Sequence, residues 1–223
     1  MTTMPPRALP DSLPFIFAGH SFIARASGAL WWPAQKMLVV ADLHLGRSER
    51  YARRGGALLP PFEVTDTLDR LAAEIAALKP ACVVSLGDGF DDDAASAALP
   101  DMARARLADM AEGRAFLWIT GNHDPKAQIP CGQAMEMWHG PVTLRHEAGT
   151  GPDISGHYHP VLPLAGKRWR AFLVGSDHLI LPAFGTYTGG LDLRDPALVR
   201  LVPRGMAIGC GTGVFALPLP LKH

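Results

Sequence analysis

The sequence has few cysteines and no excess of charge of either sign. Its 223 residues include three cysteines, and none forms a C-x-x-C pair. This excludes a disulfide framework and a thiolate zinc site, and it favours a reducing compartment such as the cytoplasm. Lys plus Arg and Asp plus Glu both total 21, so no long-range field draws the whole molecule towards a polyanion. Such a ligand would have to bind at a local basic patch.

The sequence also lacks long apolar runs. No stretch approaches the roughly 20 apolar residues that span a bilayer, and the N-terminal MTTMPPRALPDSLP lacks the apolar core of a signal peptide. We therefore expect a cytoplasmic protein with no membrane partner. Residues 1–13, rich in Pro and polar residues, are predicted to be a flexible tail, and residues 14–223 a single domain.

Short apolar runs alternate with helical patterns in the first half of the chain. Buried strands are predicted at 37–41, 81–86 and 115–119, further strands at 15–19 and 21–26, and helices at 62–79 and 101–112. After residue 140 the pattern favours strands, through VTLRHE, DISGHYH, AFLVG, HLILPAFG, LVRLVP and GVFALPL. An α/β half followed by a β-rich half predicts two mixed β-sheets packed face to face, with helices on the outer faces.

Residues that bind metals follow five of the predicted strands. The segments are ADLHLG, GDGFD, GNHD, LRHE and SGHYHP, in that order between residues 41 and 160. Because ligands of α/β sheets bind at the carboxyl ends of strands, we expect these segments to converge. The candidate ligands are Asp42, His44, Asp88, Asn122, His146, His157 and His159. This mixture of oxygen and imidazole without thiolate suits Mn²⁺, Fe²⁺ or Zn²⁺ better than Mg²⁺ or Ca²⁺.

The five segments, taken together and in order, resemble the calcineurin-like metallophosphoesterases. The resemblance implies a four-layer αββα sandwich and two divalent ions, with Mn²⁺ expected first and Fe²⁺ or Zn²⁺ as alternatives. It implies one ion held by Asp42, His44 and His159, a second held by Asn122, His146 and His157, and Asp88 as the bridge between them. The implied reaction is hydrolysis of a phosphate ester by an activated water.

The same resemblance suggests two catalytic residues. His123 would face the substrate phosphate and assist the leaving group, and Asp91 would orient the His123 ring. Two assignments stay open at this point. The isolated histidine ligand could be His139 instead of His146, and Asp92 could orient His123 in place of Asp91.

Two further stretches narrow the resemblance. ADLHLGRSERYARRGGALLP and LPAFGTYTGG are similar to the PdeM family of bacterial ligase-associated DNA damage response endonucleases. This implies DNA as the substrate, a role in DNA repair, and a ligase or helicase as partner. Related nucleases carry a capping domain for which this chain looks too short, so a homodimer is also expected. The alternatives are a small-molecule phosphodiesterase or phosphatase using the same dinuclear site, and a non-catalytic scaffold with empty metal sites.

A basic run begins three residues after His44. Its arginines are candidates for binding substrate phosphates: Arg47, Arg50, Arg53 and Arg54. Within the run, Tyr51 could stack on a base. A second basic run, Lys167-Arg168-Trp169-Arg170, follows the SGHYHP segment. The alternative interpretation of both runs is a solvated face.

Overall fold

The computed structural model describes residues 9–56 and 59–221. The first half contains β1 (Ser12–Phe17), β2 (His20–Arg25), β3 (Leu30–Trp32), β4 (Met37–Val40), α1 (Arg47–Arg53), α2 (Glu63–Leu78), β5 (Cys82–Leu86), α3 (Asp93–Ala97), α4 (Asp101–Ala111) and β6 (Ala115–Ile119). The second half contains β7 (Gln133–Met135), β8 (Met137–Trp138), β9 (Thr143–Arg145), β10 (Asp153–Ser155), β11 (Val161–Leu164), β12 (Lys167–Val174), β13 (His178–Ile180), α5 (Pro196–Leu201), β14 (Gly205–Cys210) and β15 (Val214–Leu219).

The strands form two mixed sheets. The first has the order β1-β2-β3-β4-β5-β6-β7, and β4 to β7 run parallel to one another. The second has the order β15-β14-β12-β13-β10-β9-β8, with β11 paired to β12. In this sheet, β9, β10 and β13 are parallel. Both sheets therefore have a parallel part whose strand ends can supply ligands.

Apolar side chains pack the chain into four layers. The core between the two sheets includes Phe22, Trp32, Leu144, Phe172 and Ile208. Helices α2 and α4 cover the outer face of the first sheet, and α5 covers the outer face of the second. This arrangement confirms the predicted fold class, and each predicted strand and helix of the first half forms close to its expected position. No helix in the described part of the chain has the length and apolar character needed to cross a membrane.

One predicted strand is wrong. LVRLVP belongs largely to helix α5 and the residues after it. Asp195 caps this helix, because its side chain accepts a hydrogen bond of 2.9 Å from Ala197 N, and Pro196 provides the first helical residue. Leu198 and Val202, four residues apart, are both buried against the second sheet. The apolar spacing is therefore that of a short helix, and the cap determines where it begins.

The chain joins the first sheet earlier than the predicted tail boundary. Strand β1 begins at Ser12, and Pro10 O accepts a hydrogen bond of 2.8 Å from Val214 N. The remainder of the predicted tail, residues 1–8, lies outside the described residues.

Candidate metal centre

The predicted ligands converge at the carboxyl ends of five strands. Asp42 follows β4, Asp88 follows β5, Asn122 follows β6, His146 follows β9 and His157 follows β10. The first three strands are neighbours in the first sheet, and the last two are neighbours in the second. The site therefore lies where the ends of both parallel regions meet, as expected for an α/β sheet.

The side chains predicted for the first ion form one cluster. Asp42, His44 and His159 each offer a ligand atom within 4.8 Å of the other two. His44 Nε2 lies 3.4 Å from His159 Nε2, and His159 Nε2 lies 3.5 Å from Asp42 Oδ2. Although burial disfavours the charged ring, the Asp42 carboxylate raises the pKa of His159.

The side chains predicted for the second ion form an adjacent cluster. His146 Nε2 lies 2.8 Å from Asn122 Oδ1, and His157 Nδ1 lies 3.1 Å from the same oxygen. The two ring nitrogens are 3.2 Å apart. Burial and the neighbouring His146 lower the pKa of His157, which favours the neutral ring that a metal ligand requires. His146 is the histidine of this cluster, whereas His139 lies just after β8 at the end of the second sheet.

Asp88 lies between the two clusters and is buried. Its Oδ2 is 3.9 Å from His44 Nε2 and 3.6 Å from His146 Nε2. The other oxygen accepts a hydrogen bond of 2.9 Å from His123 N. Asp88 also joins two further groups of candidate ligands, one with His44 and His123 and one with Asp42 and His146. This is the position that a bridging carboxylate would occupy.

The tautomer of His146 directs a lone pair into the cluster. His146 Nδ1 lies 3.0 Å from Leu86 O, an acceptor, so this nitrogen carries the proton. In the neutral ring, Nε2 then presents a lone pair to the Asn122 and Asp88 oxygens, which are also acceptors. Asp42 Oδ1 is buried and has no hydrogen-bond partner among the described residues. Buried acceptors that face one another in this way fit a bound cation.

The backbone at the site is held in an unfavourable conformation. Five predicted ligands have positive φ angles between 43° and 67°: Asp42, His44, Asp88, His157 and His159. This left-handed region costs a non-glycine residue about 1–2 kcal/mol. Such strain persists where surrounding structure over-determines it, and it clusters at functional sites.

Glycines allow the motifs to approach one another. A Cβ at Gly87 would overlap the His146 ring, one at Gly121 would overlap Asp88, and one at Gly156 would overlap Asp42. Each of these glycines immediately precedes a predicted ligand in the chain. The glycines are thus required because a neighbouring ligand side chain occupies the space of a Cβ.

The Asp91 carboxylate contacts His44 and two arginines rather than the His123 ring. Its Oδ1 lies 3.1 Å from His44 Nδ1, although the angles fall outside hydrogen-bond geometry. It accepts hydrogen bonds from Arg47 at 3.0 Å and from Arg50 at 2.9 Å. Burial alone would raise the pKa of Asp91, but His44 and the two guanidiniums hold that pKa at about 2.

The predicted contact between Asp91 and His123 is made by the main chain. His123 Nδ1 lies 3.3 Å from Asp91 O, which orients the ring without using the carboxylate. The alternative residue, Asp92, caps α3 by accepting a hydrogen bond of 2.8 Å from Ala95 N. The Asp92 carboxylate also accepts two hydrogen bonds of 2.8 Å from Arg53.

The arginines of the first basic run differ in how freely they could bind phosphate. The side chains of Arg47 and Arg50 are about one-fifth exposed and bound to Asp91. Arg53 is bound to Asp92 and Glu49. Arg54 lies 3.6 Å from Asp92, and 61% of its side chain is exposed. Arg54 is therefore the arginine of this run that a substrate could reach most easily, while Arg47 and Arg50 have structural partners.

Two contributors to the site have no role predicted from the sequence. Asp124, in the GNHD segment, accepts hydrogen bonds from Phe90 N at 2.9 Å and Gly121 N at 3.2 Å, so it ties two ligand loops together. Burial raises the pKa of Asp124. The other is the segment 183–190, which we call the bracing loop. This loop contacts the segments of two predicted ligands: Gly185 N donates a hydrogen bond of 3.1 Å to Asp42 O, and a Cβ at Gly190 would overlap His159 O.

The second basic run holds the bracing loop. Arg170 Nη1 lies 3.3 Å from both Ala183 O and Phe184 O, and Arg168 Nη2 donates to Gly190 O at 3.1 Å. These arginines therefore hold the bracing loop, which in turn contacts Asp42 and His159. His178 Nδ1 lies 2.9 Å from Asp153 Oδ1 within the second sheet.

Comparison with solved structures identifies a nuclease with the same architecture. The chain is similar to the crystal structure of the Pseudomonas putida nuclease MPE, with a TM-score of 0.74 and 27% sequence identity. The similarity covers 92% of this chain and 100% of the nuclease chain. No protein-family model matches the chain, and no curated protein matches it. The two-sheet fold is thus shared with a nuclease along nearly the whole of both chains.

Proposed function

We propose that this protein is a metal-dependent nuclease that hydrolyses phosphodiester bonds of DNA at a dinuclear site. The observation that carries the proposal is the convergence of two imidazole pairs around the buried Asp88 carboxylate. The structural similarity to a nuclease over 92% of the chain supports the same reaction class. The mixed donor set favours Mn²⁺, with Fe²⁺ or Zn²⁺ as alternatives.

The residues divide into a buried floor and a more open rim. Asp42, His44 and Asp88 are buried, whereas Asn122 and His157 are more exposed. The floor would hold the cations, and substrate would approach from the rim. When bound, two divalent ions at such a site supply Lewis acidity that neutralises phosphate charge and makes a water more acidic.

We infer that His123 transfers a proton at the rim. Its ring packs against His44 at 5.2 Å between centroids, and its Nδ1 faces Asp91 O. With Nδ1 oriented by the carbonyl, Nε2 is the nitrogen left to face substrate. In the protonated ring, this Nε2 would donate its proton to the oxygen of the leaving nucleotide. The backbone of His123 stays fixed through its hydrogen bond to Asp88.

Replacing His123 by Ala is expected to slow hydrolysis while metal binding persists. Losing a general acid lowers the rate by about 10²- to 10⁴-fold, and the main-chain hydrogen bond to Asp88 survives the change. Turnover and Mn²⁺ stoichiometry should be measured on the same preparation. A variant that no longer binds metal would place His123 among the ligands, as its grouping with His44 and Asp88 also allows.

Replacing an exposed arginine can distinguish hydrolysis of DNA from hydrolysis of small esters. Arg54→Ala is expected to raise the KM for DNA several-fold and to leave Mn²⁺-dependent hydrolysis of bis(p-nitrophenyl) phosphate unchanged, because only the polymer extends as far as Arg54. Arg194→Ala is the matched control, since the Arg194 side chain is 64% exposed and pairs with Asp192, which is outside the predicted ligands and the first basic run. Both variants should be assayed on single- and double-stranded DNA.

The results distinguish the two functions. Cleavage of DNA that weakens in Arg54→Ala and not in Arg194→Ala supports the nuclease. Hydrolysis of the small diester with no DNA cleavage would instead favour the small-molecule phosphodiesterase, which uses the same site. Failure of the wild type to hydrolyse either substrate or to bind metal would favour the scaffold.

The resemblance to the PdeM family supports a role for this nuclease in DNA repair. A ligase or helicase is the partner that this role would require, and a homodimer would extend the surface available to DNA. Co-purification with a ligase, and the mass of the protein in solution, test these two proposals separately.

A further inference from the structure

Tyr187 is an exposed aromatic residue with a positive φ angle. Its position explains this angle less readily than the positions of the other residues with positive φ do. Among the described residues, ten non-glycine residues have positive φ, and five of them are predicted metal ligands. Lys36 follows a short 3₁₀ helix at Pro33–Gln35, and Lys79 ends α2. Ala18 and Ala165 each precede a glycine of positive φ between paired antiparallel strands. The remaining residue is Tyr187, with φ 62°.

The turn that carries Tyr187 is clamped on both sides. Thr186 Oγ1 accepts a hydrogen bond of 2.8 Å from Arg70 and lies 3.2 Å from Thr67 Oγ1, and Thr186 N donates to Thr67 Oγ1 at 3.1 Å. On the other side, Thr188 Oγ1 donates to Gly185 O at 2.8 Å. The fold thus fixes the backbone at Tyr187 in a conformation that disfavours a side chain.

The same turn is anchored to the metal centre at both ends. Gly185 N donates to Asp42 O, and Gly190 lies so close to His159 O that a Cβ would overlap it. Tyr187 is two residues from Gly185 and three from Gly190. Since two residues of extended chain span at most about 7 Å, the Tyr187 backbone lies at the edge of the site that holds Asp42 and His159.

Tyr187 differs from the other tyrosines in the availability of its ring. The Tyr51 ring is covered by Arg47, whose guanidinium carbon lies 5.5 Å from its centroid. The Tyr158 ring packs edge-on against His157 at 4.9 Å. Tyr187 is 41% exposed, and its ring has no aromatic or cationic partner within residues 9–56 and 59–221.

We propose that Tyr187 is a stacking platform for an unpaired nucleobase beside the metal centre. The inference rests on the proposed nuclease function and adds its substrate class, a strand whose bases are free to stack. Every base has a π-face, so such a platform strengthens binding without reading sequence. A rigid backbone suits this role because the ring is presented without further ordering when the strand binds.

Removing the base or the ring should have the same effect on binding. The substrates are a single-stranded oligothymidylate and an oligomer of equal length made of abasic units, cleaved in Mn²⁺. For the wild type, the KM of the abasic strand is expected to be about tenfold higher. Tyr187→Gly, which suits a positive φ, should raise the KM for oligothymidylate about tenfold and leave that for the abasic strand unchanged.

Two control variants isolate the ring from the backbone. Tyr187→Phe keeps the ring and should behave as the wild type does. Ala18→Gly relaxes another positive φ, in the β1–β2 turn, and should also match the wild type. The thermal unfolding midpoint of Tyr187→Gly should not fall, because glycine fits the conformation.

Each other outcome overturns the inference in a recognisable way. If the wild type cleaves both strands with equal KM, or if Tyr187→Gly keeps the wild-type preference, Tyr187 does not stack and the nuclease proposal stands. If Tyr187→Gly raises the KM for both strands equally, the residue has only a structural role. If the wild type cleaves no DNA but hydrolyses the small diester, both proposals fail together.

Discussion

Asp88→Asn is expected to reduce hydrolysis of DNA and of a small diester by about three orders of magnitude. The change keeps the size of the side chain and removes the charge between His44 and His146. A bound cation contributes several kcal/mol of stabilisation to a phosphoryl transition state, and each 1.36 kcal/mol corresponds to a factor of ten in rate. A bridging amide would hold both ions less tightly, because it offers one neutral oxygen in place of two charged ones.

The same variant should fold at least as stably as the wild type without metal. Asp42 and Asp88 are both buried in the cluster, so removing one negative charge relieves like-charge repulsion. Adding Mn²⁺ should raise the unfolding midpoint of the wild type, because a ligand that binds only the native state stabilises it. That rise should shrink in Asp88→Asn. If the variant is active, or if Mn²⁺ raises its unfolding midpoint as much as that of the wild type, Asp88 does not bridge the two ions.

The convergence of the ligands could be predicted because it depends on local chemistry. A continuous apolar run such as 37–41 indicates a buried strand, and the polar residues that follow it must lie at the strand end. Parallel strands place those ends along one edge, so order along the chain was enough to group Asp42, Asp88 and Asn122. The space that Gly87, Gly121 and Gly156 leave for neighbouring predicted ligands became visible only in the structure.

Interactions between distant segments could not be predicted in the same way. The Asp91 carboxylate meets arginines 41 and 44 residues away in the chain, and its orientation depends on where α1 packs. The motif alone matched Asp91 to His123, whereas their contact uses the main chain. The bracing loop was visible as a stretch of similarity, but its contacts with Asp42 and His159 depend on the packing of the two sheets. A helix as short as α5 has too few residues to distinguish its periodicity from that of a strand.

Asp91→Ala is expected to destabilise the fold by about 3 kcal/mol and to weaken metal binding by about 10- to 100-fold. Removing one partner of a buried ion pair costs about 3–5 kcal/mol because the other charge is left without compensation. The lower end applies here, since Arg47 and Arg50 remain about one-fifth exposed and water can reach them. Loss of the carboxylate that orients a ligand histidine typically lowers metal affinity by this factor.

The adjacent aspartate provides the matched comparison. Asp92→Ala removes a cap of α3 and ion pairs with the more exposed Arg53 and Arg54, which together cost about 1 kcal/mol. Urea unfolding without metal and Mn²⁺ titration of both variants separate the effects. If the two variants lose equal stability and affinity, Asp91 does not position His44. If Asp91→Ala alone loses affinity while His123→Ala retains it, the first basic run is part of the metal centre. Its arginines then act on the substrate mainly through Asp91 and His44, and Arg54 remains the residue available to DNA.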